Sequence, residues 1–298
     1  MNFYNLKPTN KILNISHYDF DGVSCAIVLS NYFKNITCEC CSFVNVDKTI
    51  QKINFNEYDA VIITDCTPKD VSLLKHDKII VLDHHPAFEE IPNENAFIVT
   101  DNCAAVLVKN FVETTFNVDL SYLDNLLKYT NDYDLWIHKH KKSKLINELF
   151  WRYGYFGFKG RFQSGNVRFT LDEINFLRSK KKEFIEVYNN LEIFDFDKIN
   201  ACFIVGGAFL NDIAERLLYV DNYEMILIQN PKNKHISLRI KDDVANVGEM
   251  LANLRIGGGH PKAGGIDVLY QNLNEMKNDF IRIENYVLEH FPWLKRKS

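Results

Sequence analysis

The sequence predicts an α/β protein in which a parallel-sheet N-terminal domain is joined by a helical linker to a smaller α/β C-terminal domain. Three observations support this prediction. Near-continuous apolar segments alternate with helical patterns in the first half, a long charged segment follows, and strand patterns return in the last third. The predicted boundaries are 1–165 for the N-terminal domain, 166–195 for the linker and 196–298 for the C-terminal domain.

Four apolar segments of the first half are predicted to be strands: KILNIS (11–16), TCECCSFV (37–44), YDAVIIT (58–64) and KIIVL (78–82). Between the first two, Val23, Ala26, Ile27 and Ser30 recur at helical spacing. Weaker helical patterns fill the other gaps, which favours a parallel sheet covered on both faces. Ligands of such sheets bind beyond the carboxyl ends of the strands.

The segment 170–194 predicts the long charged helix of the linker. Thr170 precedes Glu173 by three positions, which is the spacing of a helix capping box. Strands are predicted again at NACFIVG (200–206), YEMILIQN (223–230) and HISLRIK (235–241), with helical patterns between them and near the end of the sequence.

The composition excludes several classes of protein. A hydrophobic fraction of 46% in 298 residues is enough for a sizeable core and two domains. The net charge of −4 argues against a general nucleic-acid coat protein, although it is compatible with a local basic groove. Because the seven cysteines include no CxxC pair, the cluster Cys38, Cys40, Cys41 is interpreted as strand thiols. With no transmembrane-length apolar run and no signal-peptide features, we expect a reduced, soluble, cytoplasmic protein.

Polar residues collect where three of the predicted strands end. They are His17, Asp19 and Asp21 after the first strand, Asp65 after the third, and Asp83, His84 and His85 after the fourth. An aspartate at a strand end is usually a helix N-cap, and that is our interpretation of Asp70. Together, however, these carboxylates and imidazoles can converge at one sheet edge, where their charges require metal ions. Oxygen and nitrogen ligands suit manganese, and shared carboxylates can hold two ions about 3.5–4 Å apart for phosphoryl hydrolysis.

These segments resemble a known family. HYDFDG, TDC and LDHHP resemble the first three motifs of the DHH phosphoesterases, whose signature triplet is Asp83-His84-His85 here. KYTNDYDLW (128–136) supplies the aspartate of the fourth motif, for which we choose Asp132, with Asp134 as the alternative. HISLRI (235–240) and NVGEMLANLRIGGGHPKAGGI (246–266) resemble the DHH-associated C-terminal domain with its GGGH motif.

The resemblance implies a role for each matched residue. Two divalent metal ions, most simply manganese, are bound in the cleft between the domains: His17 and Asp19 hold one, Asp21, His84 and Asp132 hold the other, and Asp65 bridges them. Asp65, Asp83 and His85 are the predicted catalytic residues; Asp83 orients His84, and His85 donates a hydrogen bond to the scissile phosphate. The predicted substrate-binding residues are Arg239, Gly257, Gly258, Gly259 and His260. Arg255, near the same motif, is explained equally well as a solvated helix end.

The expected function is manganese-dependent hydrolysis of short single-stranded oligonucleotides or small nucleotides to mononucleotides by metal-activated water. The compact plan resembles the oligoribonuclease and phosphoadenosine-phosphate phosphatase branch. The alternatives are a cyclic-dinucleotide phosphodiesterase, a RecJ-like exonuclease for single-stranded DNA, and, in another class, a non-catalytic protein that binds nucleotides or single strands. RecJ-type enzymes generally add an oligonucleotide-binding domain, for which about 30 residues after the glycine motif leave no room. We expect no membrane partner, and a homodimer is left open.

The segment FWRYGYFGFKGRF (150–162) has two interpretations. Aromatic residues interleaved with Arg152, Lys159 and Arg161 are typical of a single-stranded nucleic-acid groove. The favoured interpretation is an aromatic connector packed between the domains, because aromatic side chains are more often buried than exposed.

Overall fold

The computed structural model describes residues 5–85, 94–135, 137, 139–230, 235–241, 246–260, 263–266, 273–292 and 295. The chain divides into two compact units, Met1–Leu177 and Arg178–Ser298, called the first and the second unit below. Each unit has its own sheet and its own hydrophobic core. Within the described ranges, no helix combines the length and the apolar character that crossing a bilayer requires.

The described strands of the first unit form a five-stranded parallel sheet, which confirms the predicted α/β class. In chain order they are β1 (Lys11–His17), β2 (Asn35–Cys41), β3 (Ala60–Thr64), β4 (Ile79–Asp83) and β5 (Ala96–Ile98). Their order across the sheet is β2-β1-β3-β4-β5. Every residue of β3 and β4 is buried, as expected for central strands covered on both faces. Strand β5 was not predicted, because three residues are too short to show a periodic pattern.

Helices cover both faces of this sheet. They are α1 (Phe20–Tyr32), α2 (Val46–Gln51), α3 (Ala104–Phe116), α4 (Asp124–Asp134) and α5 (Lys141–Phe162). One core contains Ile12, Ile62 and Ile80 together with α1, α3 and α5. The alternate strand residues Leu13 and Val61 pack into a second core with α2. Helix α1 is buried from Phe20 to Leu29, so it lies inside the unit and not on its surface.

Helix α5 contains the aromatic segment 150–162. The segment puts four aromatic side chains into the core of the first unit: Phe150, Tyr155, Phe158 and Phe162. Its two arginines are paired with carboxylates of the same unit, Arg152 with Asp172 (2.5 Å) and Arg161 with Glu173 (2.7 Å). The segment is therefore mainly a core helix of the first unit, and its arginines are not arranged as a basic groove.

The long helix α6 (Leu171–Asn189) begins with the predicted capping box. Thr170 Oγ1 accepts the Glu173 N–H (3.2 Å), and Glu173 Oε2 accepts the Thr170 N–H (2.6 Å). The buried Glu173 carboxylate also accepts from Arg161 Nε (2.7 Å) and from the Tyr153 hydroxyl (3.0 Å). One carboxylate thus joins α6 to the end of α5.

Glu173→Ala is expected to lower the free energy of unfolding of the first unit by about 2–4 kcal/mol, because breaking a buried ion pair leaves the Arg161 charge uncompensated. This loss is at the lower end of the range for breaking a buried ion pair, because the Arg161 side chain is 22% exposed and water can partly solvate its charge. Urea unfolding followed by circular dichroism measures the change. The matched control is Asp172→Ala, whose side chain is 78% exposed and whose ion pair should contribute about 0–1 kcal/mol.

The contribution of Glu173 to the free energy of unfolding depends on pH. Burial raises the pKa of Glu173, but hydrogen bonds from Arg161 and Thr170 outweigh burial and hold it below the ordinary glutamate value. The stabilisation is therefore present above the unfolded pKa and is lost as pH falls through the lower folded pKa. Wild type and Glu173→Ala should converge in acid, and a difference that grows on acidification would contradict this assignment.

The second unit contains a six-stranded mixed sheet in the order β10-β11-β9-β8-β7-β6. Its elements are β6 (Ile193–Asp195), β7 (Ala201–Val205), α7 (Leu210–Tyr219), β8 (Met225–Asn230), β9 (His235–Ile240), α8 (Val247–Asn253), β10 (Gly257–His260), β11 (Ala263–Ile266) and α9 (Leu273–His290). Strands β7 and β8 are parallel, and the other pairs are antiparallel. Strand β6 lies within the predicted linker, because α6 ends at Asn189.

The glycine motif forms a strand. Gly257–His260 is β10, which pairs with β11 so that Gly257 opposes Ile266 and Gly258 opposes Gly265. A Cβ atom on Gly257 would lie 1.9 Å from the Gly265 carbonyl oxygen, so this close approach of two backbones requires glycine. The requirement is structural and is independent of any ligand.

Candidate metal centre

The polar residues that were expected to converge do lie at one edge of the first sheet. His17 is the last residue of β1, Asp65 follows β3, and Asp83 is the last residue of β4. Since β1, β3 and β4 are adjacent parallel strands, their carboxyl ends meet at the same edge. His84 and His85 continue from β4 into the same region.

The turn after β1 is fixed by Asp19. Its Oδ1 accepts the Gly22 N–H (2.8 Å) and caps α1, while its Oδ2 lies 2.7 Å from His17 Nδ1. A Cβ atom on Gly22 would lie 2.1 Å from the His17 carbonyl oxygen. Glycine at 22 therefore allows the helix to start directly against the strand end that carries His17 and Asp19.

Asp21 reaches the cluster from the first turn of α1. Its carboxylate is buried and accepts the backbone N–H groups of Ala104 (2.7 Å) and Ala105 (2.9 Å) at the start of α3. A carboxylate is stabilised there by the unpaired amides and the positive end of the helix dipole. No pattern in the sequence indicates this contact, because the partners are 83 and 84 residues away.

Asp65 lies at the centre of the cluster. It adopts a left-handed backbone conformation (φ 58°), and its side chain is buried. His84 Nε2 lies 3.5 Å and His85 Nδ1 lies 3.7 Å from Asp65 Oδ1. Asp65 also belongs with His17 and Asp19 to a group whose potential ligand atoms are within 4.8 Å of one another. This position is compatible with the predicted bridging role.

Asp83 contacts a different imidazole from the one expected. Its Oδ2 accepts the Thr67 N–H (2.7 Å) and hydroxyl (2.6 Å), and its Oδ1 lies 2.9 Å from His85 Nδ1. Toward His84 it accepts only the backbone N–H (2.7 Å). Burial raises the pKa of Asp83, but the hydrogen bonds and charge of His85 and the Thr67 hydrogen bonds outweigh burial and lower it to about 2. Asp83 thus orients the His85 ring. The prediction that it orients the His84 ring is corrected, because it contacts only the backbone N–H of His84.

The structure also corrects the choice of fourth-motif aspartate. Asp134 Oδ2 lies 3.3 Å from His84 Nε2, and Asp21 Oδ2 lies 3.9 Å from the same atom. The Asp132 carboxylate instead accepts the N–H groups of Lys139 (2.9 Å) and His140 (3.1 Å) and the Ser143 hydroxyl (2.6 Å). Residues two apart on a helix do not share a face, so only one aspartate at the end of α4 reaches the cluster.

The donor set fits divalent cations. Potential ligand atoms form three groups, His17/Asp19/Asp65, Asp21/His84/Asp134 and Asp65/Asp83/His84/His85, each with its atoms within 4.8 Å of one another. Both Asp65 oxygens, His84 Nε2 and Asp134 Oδ2 are buried and have no hydrogen-bond partner among the residues that the structure describes. Buried polar atoms are normally satisfied, and a cation would satisfy all of these together. Oxygen and imidazole donors suit manganese, magnesium and similar ions.

The electrostatics of the cluster lead to the same inference. Burial, and after it the charge of neighbouring carboxylates, raises the pKa of Asp21 to about 7, that of Asp134 to about 9 and that of Asp65 well above its usual value. Burial and the charge of His85 lower the pKa of His84 to about 4, so its imidazole is neutral and can act as a ligand. Bound divalent cations would stabilise the ionised carboxylates and so lower their pKa values again.

Phe43 is a site residue that the sequence did not indicate. Its ring centroid lies 4.3 Å from that of His17 and 5.1 Å from that of His85, and the side chain is 37% exposed. It lies beyond the end of β2, in a segment predicted to be strand, and no periodic pattern distinguishes it. Its contacts restrict both imidazole rings on one side of the cluster.

The predicted substrate-binding residues lie in the second unit. In the sheet register both Arg239 and His260 oppose Ala263, so they lie in one row across β9, β11 and β10. The Arg239 guanidinium donates to the Leu238 carbonyl (3.0 Å), and burial lowers its pKa. Among side chains that the structure describes, no carboxylate lies within 4 Å of it. The side chain of His260 lies outside the described residues.

Comparisons with known proteins agree with this fold. Residues 11–142 match the model of a family described as the DHH family, N-terminal domain. A 3′,5′-cyclic-nucleotide phosphodiesterase of Helicobacter pylori is 23% identical over 152 residues, which are 42% of this chain and 44% of that protein. The match thus spans less than half of the relative's length.

Two solved structures are similar over most of this chain. A pGpG-specific phosphodiesterase, PggH from Vibrio cholerae, is 14% identical with a TM-score of 0.59, covering 92% of this chain and 99% of that one. RecJ of Thermus thermophilus, in complex with Mn²⁺, is 13% identical with a TM-score of 0.59, covering 94% of this chain and 52% of that one. These similarities establish a shared fold.

Proposed function

Because residues 11–142 form an N-terminal domain of the DHH family, we propose that the protein is a manganese-dependent phosphodiesterase acting on short single-stranded oligonucleotides or small nucleotides. The observation that carries the proposal is the cluster of buried, unpaired ligand atoms on Asp65, His84 and Asp134 at the strand ends. Burying these atoms without partners is costly, which supports a metal-dependent centre at this position. The relatives named for cyclic nucleotides and pGpG support phosphodiester chemistry, and the RecJ complex supports manganese.

Each residue of the cluster has a defined task in this proposal. His17, Asp19 and Asp65 would hold one ion and Asp21, His84 and Asp134 would hold the other. When bound, such a pair of ions supplies Lewis-acid activation of water and of the phosphate oxygens. Gly22 and the start of α3 set the positions of the ligands from α1.

His85 is assigned to the phosphate. Burial lowers its pKa, but the hydrogen bond and charge of Asp83 outweigh burial and raise it. A protonated His85 ring would donate one N–H to Asp83 and could donate the other to a phosphate oxygen. Phe43 and Asp83 hold the ring in place.

The test is a substrate panel with protein that has been dialysed against EDTA and then supplied with manganese. The panel contains a linear dinucleotide, a long single strand, a cyclic dinucleotide, a 3′,5′-cyclic nucleotide and phosphoadenosine phosphate. We expect manganese to restore hydrolysis of the dinucleotide to mononucleotides. Full activity in excess EDTA would contradict the metal mechanism. Binding without hydrolysis across the panel would instead favour a non-catalytic protein.

We further propose that Arg239, His260 and the glycines of β10 bind a phosphate of the substrate other than the scissile one. Arg239→Ala is expected to lower kcat/KM on a 5′-phosphorylated dinucleotide by roughly one to two decades, the value of a charge-assisted hydrogen bond. Hydrolysis of a small generic phosphodiester such as bis-p-nitrophenyl phosphate should barely change. The comparison of the two substrates separates substrate binding from chemistry.

Arg255→Ala is the matched control, because Arg255 is an exposed arginine next to the same glycines. Its backbone N–H donates to the Ala252 carbonyl (3.0 Å) at the end of α8, and its φ of 56° is typical of the residue that follows a helix C-cap. Wild-type kinetics are expected on both substrates. Equal losses for Arg239→Ala on both substrates would show that Arg239 serves the fold or the chemistry.

A further inference from the structure

Two large aromatic side chains are exposed next to the candidate metal centre. Tyr18 is 41% exposed and Trp151 is 60% exposed, and their ring centroids lie 6.3 Å apart at an interplanar angle of 57°. We call this pair the Tyr18–Trp151 platform. Tyr18 stands between His17 and Asp19 in the sequence, so its Cα lies about 3.8 Å from those of two proposed ligands of one ion. The backbone that carries the Tyr18 ring therefore adjoins two of the proposed metal ligands.

The platform rests on a rigid base. The buried ring of Phe150 lies 5.5 Å from Tyr18 and 5.1 Å from Trp151, edge-on to both. The buried ring of Tyr155 is stacked 6.3 Å from Tyr18, and its hydroxyl is 2.5 Å from Ser16 Oγ in β1. Aromatic rings supported in this way lose little conformational freedom when they bind a ligand.

A break in α5 accounts for the exposure of Trp151. Gly154 has φ 64° and ψ 177°, which interrupts the helical backbone between Trp151 and Tyr155. A Cβ atom on Gly154 would lie 3.6 Å from the Tyr18 hydroxyl, so the break is directly beside the platform. After the break the chain buries Tyr155 while Trp151 stays on the surface.

The neighbouring charges indicate what the platform can hold. Arg152 is paired with Asp172 and its guanidinium lies 4.6 Å from the ring of Phe176, while Arg161 is paired with the buried Glu173. These arginines are therefore occupied within the first unit and do not form a track for a long phosphate backbone. Because the two rings of the platform are inclined by 57°, a base can stack on one of them at a time, and Trp151 is the more exposed of the two.

We propose that the Tyr18–Trp151 platform stacks on a nucleobase adjacent to the scissile phosphate and so selects nucleotide substrates over other phosphodiesters. This proposal rests on the proposed function of the metal centre. Because every base has a π-face, the platform would favour substrates that carry a base without a strong preference among base types.

The test compares Trp151→Ala, Trp151→Phe and Phe156→Ala with wild type. Phe156 is a matched control, because it is a 66% exposed aromatic residue on the same helix, and its described ring contact is with Tyr155 (5.3 Å). The substrates are a dinucleotide and two versions of it that lack one base or the other. Binding of a product mononucleotide is measured by calorimetry, which needs no turnover.

Trp151→Ala is expected to lower kcat/KM on the intact dinucleotide about 5- to 150-fold, mainly through KM, and to raise the Kd of the mononucleotide similarly. Trp151→Phe should retain most of the wild-type value, and Phe156→Ala should match wild type. The loss should disappear for the substrate that lacks the stacked base. Equal losses on the intact dinucleotide and on both base-free versions, or no loss at all, would overturn the platform.

Failure of the platform and failure of the proposed function give different results. If wild type hydrolyses no substrate but Trp151→Ala still weakens mononucleotide binding, the platform stands and the hydrolase proposal falls. If manganese-dependent hydrolysis is observed and Trp151→Ala changes neither Kd nor kcat/KM, the hydrolase stands and the platform falls. A wild-type protein that neither hydrolyses dinucleotides nor binds mononucleotides would overturn both.

Discussion

Asp65→Asn is expected to lower kcat at saturating manganese by on the order of a thousandfold or more, since losing a shared ligand removes several kcal/mol of charge stabilisation. The same change should raise the thermal stability of the metal-free protein. Asp65 is buried, neither of its oxygens has a hydrogen-bond partner among the described residues, and burial followed by neighbouring carboxylates raises its pKa. An amide of the same shape removes a charge that the metal-free fold must otherwise accommodate.

The stability effect of Asp65→Asn in the metal-free protein depends on pH. When folding raises the pKa of a carboxyl group, the folded state holds the proton more tightly than the unfolded state. The free energy of unfolding therefore falls as pH rises from the unfolded pKa, near 3.8, to the folded pKa. The pKa values of Asp21 and Asp134 are raised in the same direction, to about 7 and about 9. Metal-free wild type should lose stability between about pH 4 and pH 9 through these groups, and Asp65→Asn should lose less.

Differential scanning calorimetry in EDTA and initial rates in manganese measure the two effects. Asp70→Asn is the matched control, because Asp70 is exposed and its side chain accepts the Ser72 N–H at the start of a short 3₁₀ helix. Asparagine caps nearly as well, so both readouts should stay near wild type. A variant Asp65→Asn with wild-type turnover would show that the centre is elsewhere.

Asp134→Asn and Asp132→Asn are expected to have opposite effects, although the two residues are separated by one position. Asp134→Asn should lower kcat/KM at least a hundredfold, more than the usual effect of groups that only support a ligand. It should leave the stability of the metal-free protein unchanged or higher, because Asp134 Oδ2 is buried without a hydrogen-bond partner among the described residues. Manganese binding by calorimetry should weaken in parallel.

Asp132→Asn should instead lower the free energy of unfolding by about 1–3 kcal/mol. The asparagine side chain has an NH₂ group in place of one carboxylate oxygen, so one of the backbone N–H groups that Asp132 accepts would lose its acceptor. Those donors are the N–H groups of Lys139 and His140, with the Ser143 hydroxyl beside them. Turnover of the folded fraction should stay within a few-fold of wild type. The reverse pattern, with Asp132→Asn inactive but stable, would restore the original assignment of the fourth motif.

The carboxyl ends of β1, β3 and β4 were predicted to within about one residue, because polar residues follow apolar strands there, whereas β2 ends at Cys41, before the predicted end at residue 44. The sequence could not decide between Asp132 and Asp134, since that choice depends on the rotation of α4 about its axis. The contact from Asp83 to His85 depends on loop geometry after β4, which no pattern encodes. The strand β10 was not predicted, because a three-glycine segment has no side chains from which a strand pattern can be recognised.

Helix α3 offers no residue to the metal groups, yet its first amides hold the Asp21 carboxylate. Any ligand that displaces the start of α3 must therefore change the affinity of the centre for metal. By thermodynamic reciprocity, metal binding must change the affinity of that ligand by the same factor. An effector that moved the start of α3 would therefore be coupled to metal binding at the candidate centre without entering it.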